Sequence, residues 1–222
     1  MKRFCIPPKQ NAPFVHAMED VLDVYHRPYD PKRPQVCLDE TNKQLLQHVR
    51  VPIPASRGVR ARVDDEYKRC GTANIFAALE PLIGRTLIEV TEHRANIDMA
   101  RFLRRLSDEQ YPHASIIVLI QDNLSIHALA CLYEAFPPAE AHRIARRFEV
   151  HYTPKHGSWL NAAEILLSTL SIECLDRRVG SIEELRSLIT AWQRSRTGGK
   201  VNWRFTTAKA RIKLRRLYPS IP

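Results

Sequence analysis

An α/β domain built on a mixed sheet is what this sequence predicts, and three observations predict it. Three strand-like runs, Val36 to Asp39, Thr72 to Ala78 and Arg85 to Thr91, stand in the first half with no helical pattern between them. From Ile97 onward, helix-like and strand-like segments alternate. One run, Ser115 to Gln121, is apolar almost throughout, as a strand covered on both faces should be. Consecutive strands followed by alternating helices and strands build a layered α/β arrangement.

The elements follow in order. Ala12 to Tyr25 predicts a helix: Phe14, Met18, Val21, Leu22 and Tyr25 recur at helical spacing, Asn11 suits the N-cap, and Pro13 fits a first turn. Pro28, Pro31 and Pro34 then forbid helix, so residues 1–34 read as a helical, Pro-rich lead-in. Residues 50–71, rich in Pro, Arg and Gly, read as a loop or irregular hairpin. The turn around Pro81 to Gly84 joins the second and third strands into an antiparallel meander with the first. Ile97 to Leu106 predicts a helix capped by Asn96, with Met99, Phe102, Leu103 and Leu106 on one face. Ser125 to Phe136 and Ala139 to Arg147 predict two more, and Phe148 to Thr153 the fifth strand. A helix from about Leu160 to Cys174 follows the loop Pro154 to Ser158. Ser181 opens another that runs to about Arg196, with Glu184 completing a capping box. A last helix starts near Thr206 and ends before Pro219, with Lys209, Lys213 and Arg216 on one face. This order is that of a ribonuclease H-like fold, a mixed five-stranded sheet flanked by helices. The expected division is a lead-in at 1–34, a catalytic domain at 35–196 and a basic helical extension at 197–222.

Composition narrows the function classes. No stretch of eighteen apolar residues occurs, so no membrane span is expected. The five cysteines are scattered, and none forms a Cys-x-x-Cys pair. They read as reduced thiols of a cytoplasmic protein, not as zinc ligands or a disulfide framework. The last acid is Glu184, and the ten Lys and Arg beyond it equal the whole net charge of +10. A block of one sign is the footprint expected for a polyanion, whereas a merely solvated face mixes both signs. Gly198-Gly199-Lys200-Val201 is no phosphate-binding P-loop, since it lacks the upstream glycine and the Ser/Thr after lysine.

Three carboxylates carry the chemistry. Asp39 ends the run Val36-Cys37-Leu38, Asp122 ends the run 115–121, and Glu164 lies just inside the helix that follows the fifth strand. Two acids at strand ends and one on a later helix can converge on one sheet edge. Carboxylates so gathered repel one another and raise one another's pKa. A hard divalent cation relieves that repulsion, and Mg²⁺ takes oxygen ligands. Such an arrangement suits two-metal phosphoryl transfer on a nucleic-acid backbone.

The motifs Cys37-Leu38-Asp39-Glu40, Gln121-Asp122-Asn123-Leu124-Ser125-Ile126-His127 and Thr153-Pro154-Lys155-His156-Gly157-Ser158-Trp159-Leu160-Asn161-Ala162-Ala163-Glu164 resemble the catalytic core of bacterial insertion-sequence transposases. The closest resemblance is to the IS six-thirty type of the Tc/mariner superfamily. It implies a D-D-E triad at Asp39, Asp122 and Glu164, two Mg²⁺ ions with Mn²⁺ able to substitute, and DNA cleavage followed by strand transfer. It also implies double-stranded DNA as partner, both transposon ends and target, and a homodimer in the synaptic complex. Ala162 stands where the wider superfamily often has proline two residues before the glutamate. Family members usually carry N-terminal helix-turn-helix modules, and the single helix of residues 1–35 does not supply a pair.

The neighbours have two readings each. Asn123 and His127, spaced i and i+4, serve either as accessory contacts to phosphate or as a cap and a surface histidine. Asn161 either caps the helix of Glu164 or orients a carboxylate. Glu40 is an accessory acid at most, because successive strand residues face opposite ways. Lys155 and His156 either touch DNA phosphates from the loop or are simply solvated. Lys209, Lys213 and Arg216 are the expected DNA contacts of the basic end. Trp159 either stacks on an unpaired base or anchors its loop in the core, with the core favoured. Two rival functions remain: a ribonuclease H-like nuclease without strand transfer, and a non-enzymatic DNA-binding remnant that keeps the basic end.

Overall fold

The computed structural model describes residues 6–7, 9–123, 128–195 and 199–220. Five strands form one sheet in the order β3-β2-β1-β4-β5: β1 is Gln35–His48, β2 Tyr67–Glu80, β3 Arg85–Thr91, β4 Ile117–Gln121 and β5 Phe148–Tyr152. The first three are an antiparallel meander, while β4 runs parallel to β1 and to β5. The expected mixed sheet is therefore present. β3 and β5 fall close to their expected ranges, but β1 and β2 are much longer. The polar stretch Thr41 to Gln44 extends β1 in pairing with β2, and a register shift lies between Gln44 and Leu46. Beyond it the two chains continue as an irregular hairpin with bridges Ile53↔Arg62 and Ser56↔Val59.

Seven helices are described: α1 Ala12–Tyr25, α2 Asn96–Arg105, α3 Cys131–Ala135, α4 Pro138–Ala145, α5 Ala163–Glu173, α6 Ile182–Ser195 and α7 Thr207–Lys213. α1 has the expected bounds, and the Asn11 side chain accepts from the Phe14 amide. Its apolar stripe is entirely buried at Met18, Val21 and Leu22. Each such side chain contributes about 1.5–3 kcal/mol of transfer free energy.

Four expectations need correction. Ala95, not Asn96, precedes α2, and Asn96 instead donates from its amide to Glu134. The π-helical turn Leu106–Gln110 extends that helix. The described α3 is a short helix, Cys131–Ala135, preceded by bend and turn at 128–130, and the expected start at Ser125 lies outside the described residues. At the basic end, α7 stops at Lys213 and a separate 3₁₀ turn, Arg215–Leu217, follows. Arg216 therefore leaves the helical register that would align it with Lys209 and Lys213.

The two faces of the sheet are covered differently. α1, α5, α6 and α7 share one apolar cluster with Cys37, Val118 and Ile120. α2, α3 and α4 cover the other face, with Val36, Leu38, Ile117 and Leu119. The alternation along β1 and β4 follows from the two-residue period of a strand. β4 is buried along its whole length, as its apolar run requires.

Candidate active site at the carboxyl edge of β1 and β4

The parallel register of β1 and β4 brings the two aspartates together. Cys37 pairs with Ile120, the last step of a ladder that starts at Gln35 and Val118. Two residues further on, the chains reach Asp39 and Asp122 side by side, and neighbouring strands lie about 4.8 Å apart. The two-residue period points Asp39 to the same face as Cys37, the face covered by α1 and α5. Glu164 sits in the first turn of α5 on that same face, with its side chain exposed.

Asp39 registers its surroundings. Burial pushes its carboxyl up to about 7, helped by the charges of Glu40, Asp122 and Glu164 and opposed by the Glu40 backbone N–H. That N–H donates to Asp39 Oδ1 at 2.9 Å. Asp122 and Glu164 thus both act electrostatically on Asp39. Among the described residues, no three His, Cys, Asp or Glu side chains close tightly enough to form a metal centre. The donor set itself, three carboxylates, suits a hard divalent cation, whose charge would offset the repulsion that helps to raise Asp39.

Asn161 contacts both the first acid and the start of α5, although Ala162 holds the N-cap position. The Asn161 side chain is 1% exposed. Nδ2 donates to the Leu38 carbonyl at 2.8 Å and to Asp39 Oδ2 at 3.3 Å. Oδ1 accepts from the Ala163 amide at 3.1 Å, satisfying an N–H of the first turn of α5. One amide therefore ties the β1 aspartate to the helix that carries the glutamate. Tyr25 adds a second tie that sequence reasoning missed. Its buried hydroxyl donates to the Leu160 carbonyl at 2.7 Å and accepts from the Ala162 amide at 3.0 Å. Trp203 stacks on its ring at 4.5 Å. At the end of an amphipathic helix, Tyr25 reads only as a packing residue, and no local pattern marks its hydroxyl.

The other predicted residues divide. Glu40 faces away from Asp39 and pairs with Arg94 at 3.2 Å. Lys155 and His156 are exposed and line a cavity with Asp122 and Asn123. Asn123 does not cap α3, which begins eight residues later after Ala130. His127 lies outside the described residues. Trp159 is partly buried against the core and tilts against Phe205 at 6.0 Å, as the packing reading expects. Lys209, Lys213 and Arg216 are exposed. Lys209 Nζ donates to the Arg204 carbonyl, and Arg211 pairs with Glu19, so part of the basic block has partners within the fold.

Comparison with known proteins places this geometry. A family model described as DDE superfamily endonuclease matches residues 34–186. No curated protein matches the chain. Among solved structures, the chain is similar to the Mos1 mariner paired-end complex with Mn, at 15% identity and a TM-score of 0.57 over 89% of this chain and 60% of that one. It is similar to the Mos1 strand transfer complex at 14% identity and a TM-score of 0.57, covering 89% of this chain and 58% of that one. It is also similar to the Mos1 paired-end complex with Mg at 13% identity and a TM-score of 0.59, covering 99% of this chain and 67% of that one. The likeness is one of fold, the ribonuclease H-like fold of the Mos1 transposase. The chain spans about three fifths of the length of the first of these relatives.

Proposed function

Because this chain belongs to the DDE superfamily endonucleases, we propose that it is the catalytic domain of a DNA transposase, which cleaves a strand and joins it to a new site. The reading is supported by the parallel register that leads Asp39 and Asp122 to one sheet edge, and by the charges of Asp122 and Glu164, which add to burial in raising the Asp39 carboxyl. Residues 35–196 carry the chemistry in this reading.

The reaction is two displacements at phosphorus. In cleavage, a water oxygen bonds to the phosphorus, the bond to the 3′ oxygen breaks, and that oxygen takes up a proton. In joining, the freed 3′-OH loses its proton and bonds to a target phosphorus, and the target's own 3′ oxygen leaves and is protonated. Asp39, Asp122 and Glu164 would hold divalent ions, which would supply Lewis acidity for the attacking and leaving oxygens. Mg²⁺ is the expected ion and Mn²⁺ a substitute, in keeping with the Mn and Mg complexes of Mos1. Asn161 orients Asp39 and fixes the start of α5, so the spacing between the first and third acids is set by one buried amide. Lys155 and His156 stand beside Asp122, where the substrate's phosphates would lie. Lys209, Lys213 and Arg216 add sequence-independent phosphate contacts, which set affinity and register rather than sequence choice.

The partner in the active assembly is DNA together with a second copy of the chain. The hairpin between β1 and β2 exposes Val51, Ile53 and Val63, an apolar surface suited to protein contact. Mass measurement of the DNA-bound complex, with Val51→Asp as comparison, tests the second copy.

The deciding experiment is a strand-cleavage and joining assay on DNA carrying candidate ends, with Mg²⁺ or Mn²⁺, beside Asp39→Ala, Asp122→Ala and Glu164→Ala. Loss of both activities in every variant, with the fold retained, supports the reading. A variant that still cuts near the parental rate would remove that acid from the triad. Cleavage without joining would favour a nuclease.

A further inference from the structure

The basic C-terminal segment has an inner face that the charge count does not reveal. From Val201 to Phe205, burial alternates with the two-residue period of an extended chain. Val201, Trp203 and Phe205 pack against the core, while Asn202 and Arg204 are exposed.

Both ends of this stretch are tied down. The Val201 amide donates to the Pro81 carbonyl, in the turn between β2 and β3, at 2.9 Å. At the other end, the Thr206 side chain caps α7 by accepting from the Lys209 amide at 3.1 Å. α7 is in turn fixed to α1. The Thr207 hydroxyl donates to Asp23 at 2.7 Å, and Arg211 pairs with Glu19 at 2.8 Å. The Asn11 amide, at the cap of α1, donates to the Leu217 carbonyl at 2.9 Å. The stretch is a strap drawn across the fold, not a loose tail.

Where it crosses, the strap bears on the turn that leads to Glu164. That turn is the 3₁₀ segment Ser158–Leu160, and α5 begins at Ala163. Phe205 tilts against Trp159 of the turn at 6.0 Å. Trp203 stacks on Tyr25 at 4.5 Å with the ring planes 20° apart, and the Tyr25 hydroxyl holds the Leu160 carbonyl and the Ala162 amide. Val201 lines a small crevice with Ile165 and Leu166, one residue and two beyond Glu164. Ala162, at the N-cap, offers no side chain to fix the first turn of α5. The start of that helix is therefore held from outside, by Asn161, by Tyr25 and by the strap. A carboxylate in its first turn moves with it.

Resting on the transposase reading, we propose that residues 201–205 are a strap that positions Glu164 for the reaction, with Trp203 and Phe205 as positioning residues acting through Tyr25 and Trp159. The outward side of the same segment is cationic and runs directly into α7, which carries the exposed Lys209 and Lys213. The grip on the DNA backbone and the placement of the third acid then share one stretch of chain.

The test uses the full chain carrying Trp203→Ala, Phe205→Ala or the conservative Trp203→Phe, with Asn202→Ala on the outward side as control, each below its unfolding midpoint. Amide hydrogen exchange reads the turn directly. Exchange at Ala162 should quicken about tenfold in Trp203→Ala, the upper end for one aromatic pair, and stay near parental in Trp203→Phe, while the β4 amides keep their protection. In DNA cleavage with Mn²⁺, Trp203→Ala and Phe205→Ala should lose about ten- to hundredfold in kcat with KM for DNA within about twofold of the parent, because a displaced carboxylate slows the reaction and leaves the phosphate contacts in place. Trp203→Phe should recover most of the rate, and Asn202→Ala should match the parent. Should Trp203→Ala fail to fold, Trp203→Leu, which keeps apolar bulk without the flat ring, takes its place. Parental exchange at Ala162 would overturn the proposal, as would a loss of protection spread equally over β4, which marks mere destabilisation. A parent that cuts DNA and a Trp203→Ala variant with the same kcat refute the strap alone, whereas a parent that cuts no DNA refutes the transposase reading beneath it.

Discussion

Replacing Asn161 separates the two roles that its amide performs. Asn161→Ala removes a buried side chain that donates to Leu38 and Asp39 and accepts from Ala163. A buried polar group left without its partner costs about 1–3 kcal/mol, and both a carbonyl and an amide are deprived here. The expected loss is therefore about 2–4 kcal/mol, seen as a fall in the urea midpoint with an unchanged slope. For a chain of this size that is a drop of about 5–12 °C in melting temperature. Asn161→Asp is the informative partner. It keeps an oxygen to accept from Ala163 but replaces the donor with a carboxylate facing Asp39 and the Leu38 carbonyl. Its cost should match or exceed that of alanine at pH 8 and shrink on acidification, as one of the paired acids takes up a proton. If Asn161→Asp is as stable as the parent at pH 8, helix capping is the whole role of the residue, and the argument that it orients Asp39 fails.

Three further outcomes follow from the packing. Burial tends to raise the Glu149 carboxyl, but hydrogen bonds from Arg27 and His151 and the charges of Arg27 and Arg33 outweigh it and hold the group at about 2. A depressed carboxyl stabilises the fold above the ordinary carboxylate range and loses that contribution as pH falls from about 4.5 toward 2. Since the pair is partly exposed, the contribution is about 1–2 kcal/mol, and an acid titration of stability should flatten by that amount in Glu149→Gln. Tyr25→Phe leaves the Leu160 carbonyl and the Ala162 amide without their buried partner, and calorimetry should register a loss of about 1–3 kcal/mol. A loss below about 0.5 kcal/mol would show that Trp203 stacking and burial alone hold this residue. Gly157→Ala forces Pro154 or the loop that carries Lys155 and His156 to move, so DNA binding should weaken while the unfolding midpoint of the sheet changes little; unchanged binding would mean that the loop shape is dispensable.

What the sequence revealed of the fold follows the strength of its periodicity. α1 has its expected bounds because an apolar stripe, a side-chain cap and a following proline run all mark the same limits. β4 is legible because a strand buried on both faces is apolar along almost its whole length. The second half of β1 was not legible. Thr41 to Gln44 have no apolar alternation, and their extended shape comes from pairing with β2, a long-range cause that no local window contains. The break at Leu214 was hidden for a similar reason. Lys209, Lys213 and Arg216 fit a helical face on spacing alone, but the 3₁₀ turn after α7 places Leu217 in the core and its carbonyl against Asn11.

The site was legible in its acids and opaque in what holds them. Asp39 and Asp122 each end an apolar run, so their strands could be recognised, and the parallel register then makes them neighbours. The residues that fix the third acid belong to segments far apart in the chain. Tyr25, on the lead-in helix, contacts both sides of the turn that precedes Glu164, and Asn161 spans from that turn to β1. A hydroxyl and an amide are common on helices and loops, and only their burial against unpaired backbone groups distinguishes them. The lead-in helix thus acts on the geometry of the acids without contributing one. Its N-terminal end walls the cavity beside Asp122, while its C-terminal tyrosine sets the start of α5. A helix that shapes both ends of one site should not be separable from it. Removing residues 1–34 would take away Met18, Val21 and Leu22 and expose the sheet face they cover, so the remaining chain should lose cooperative unfolding along with any activity.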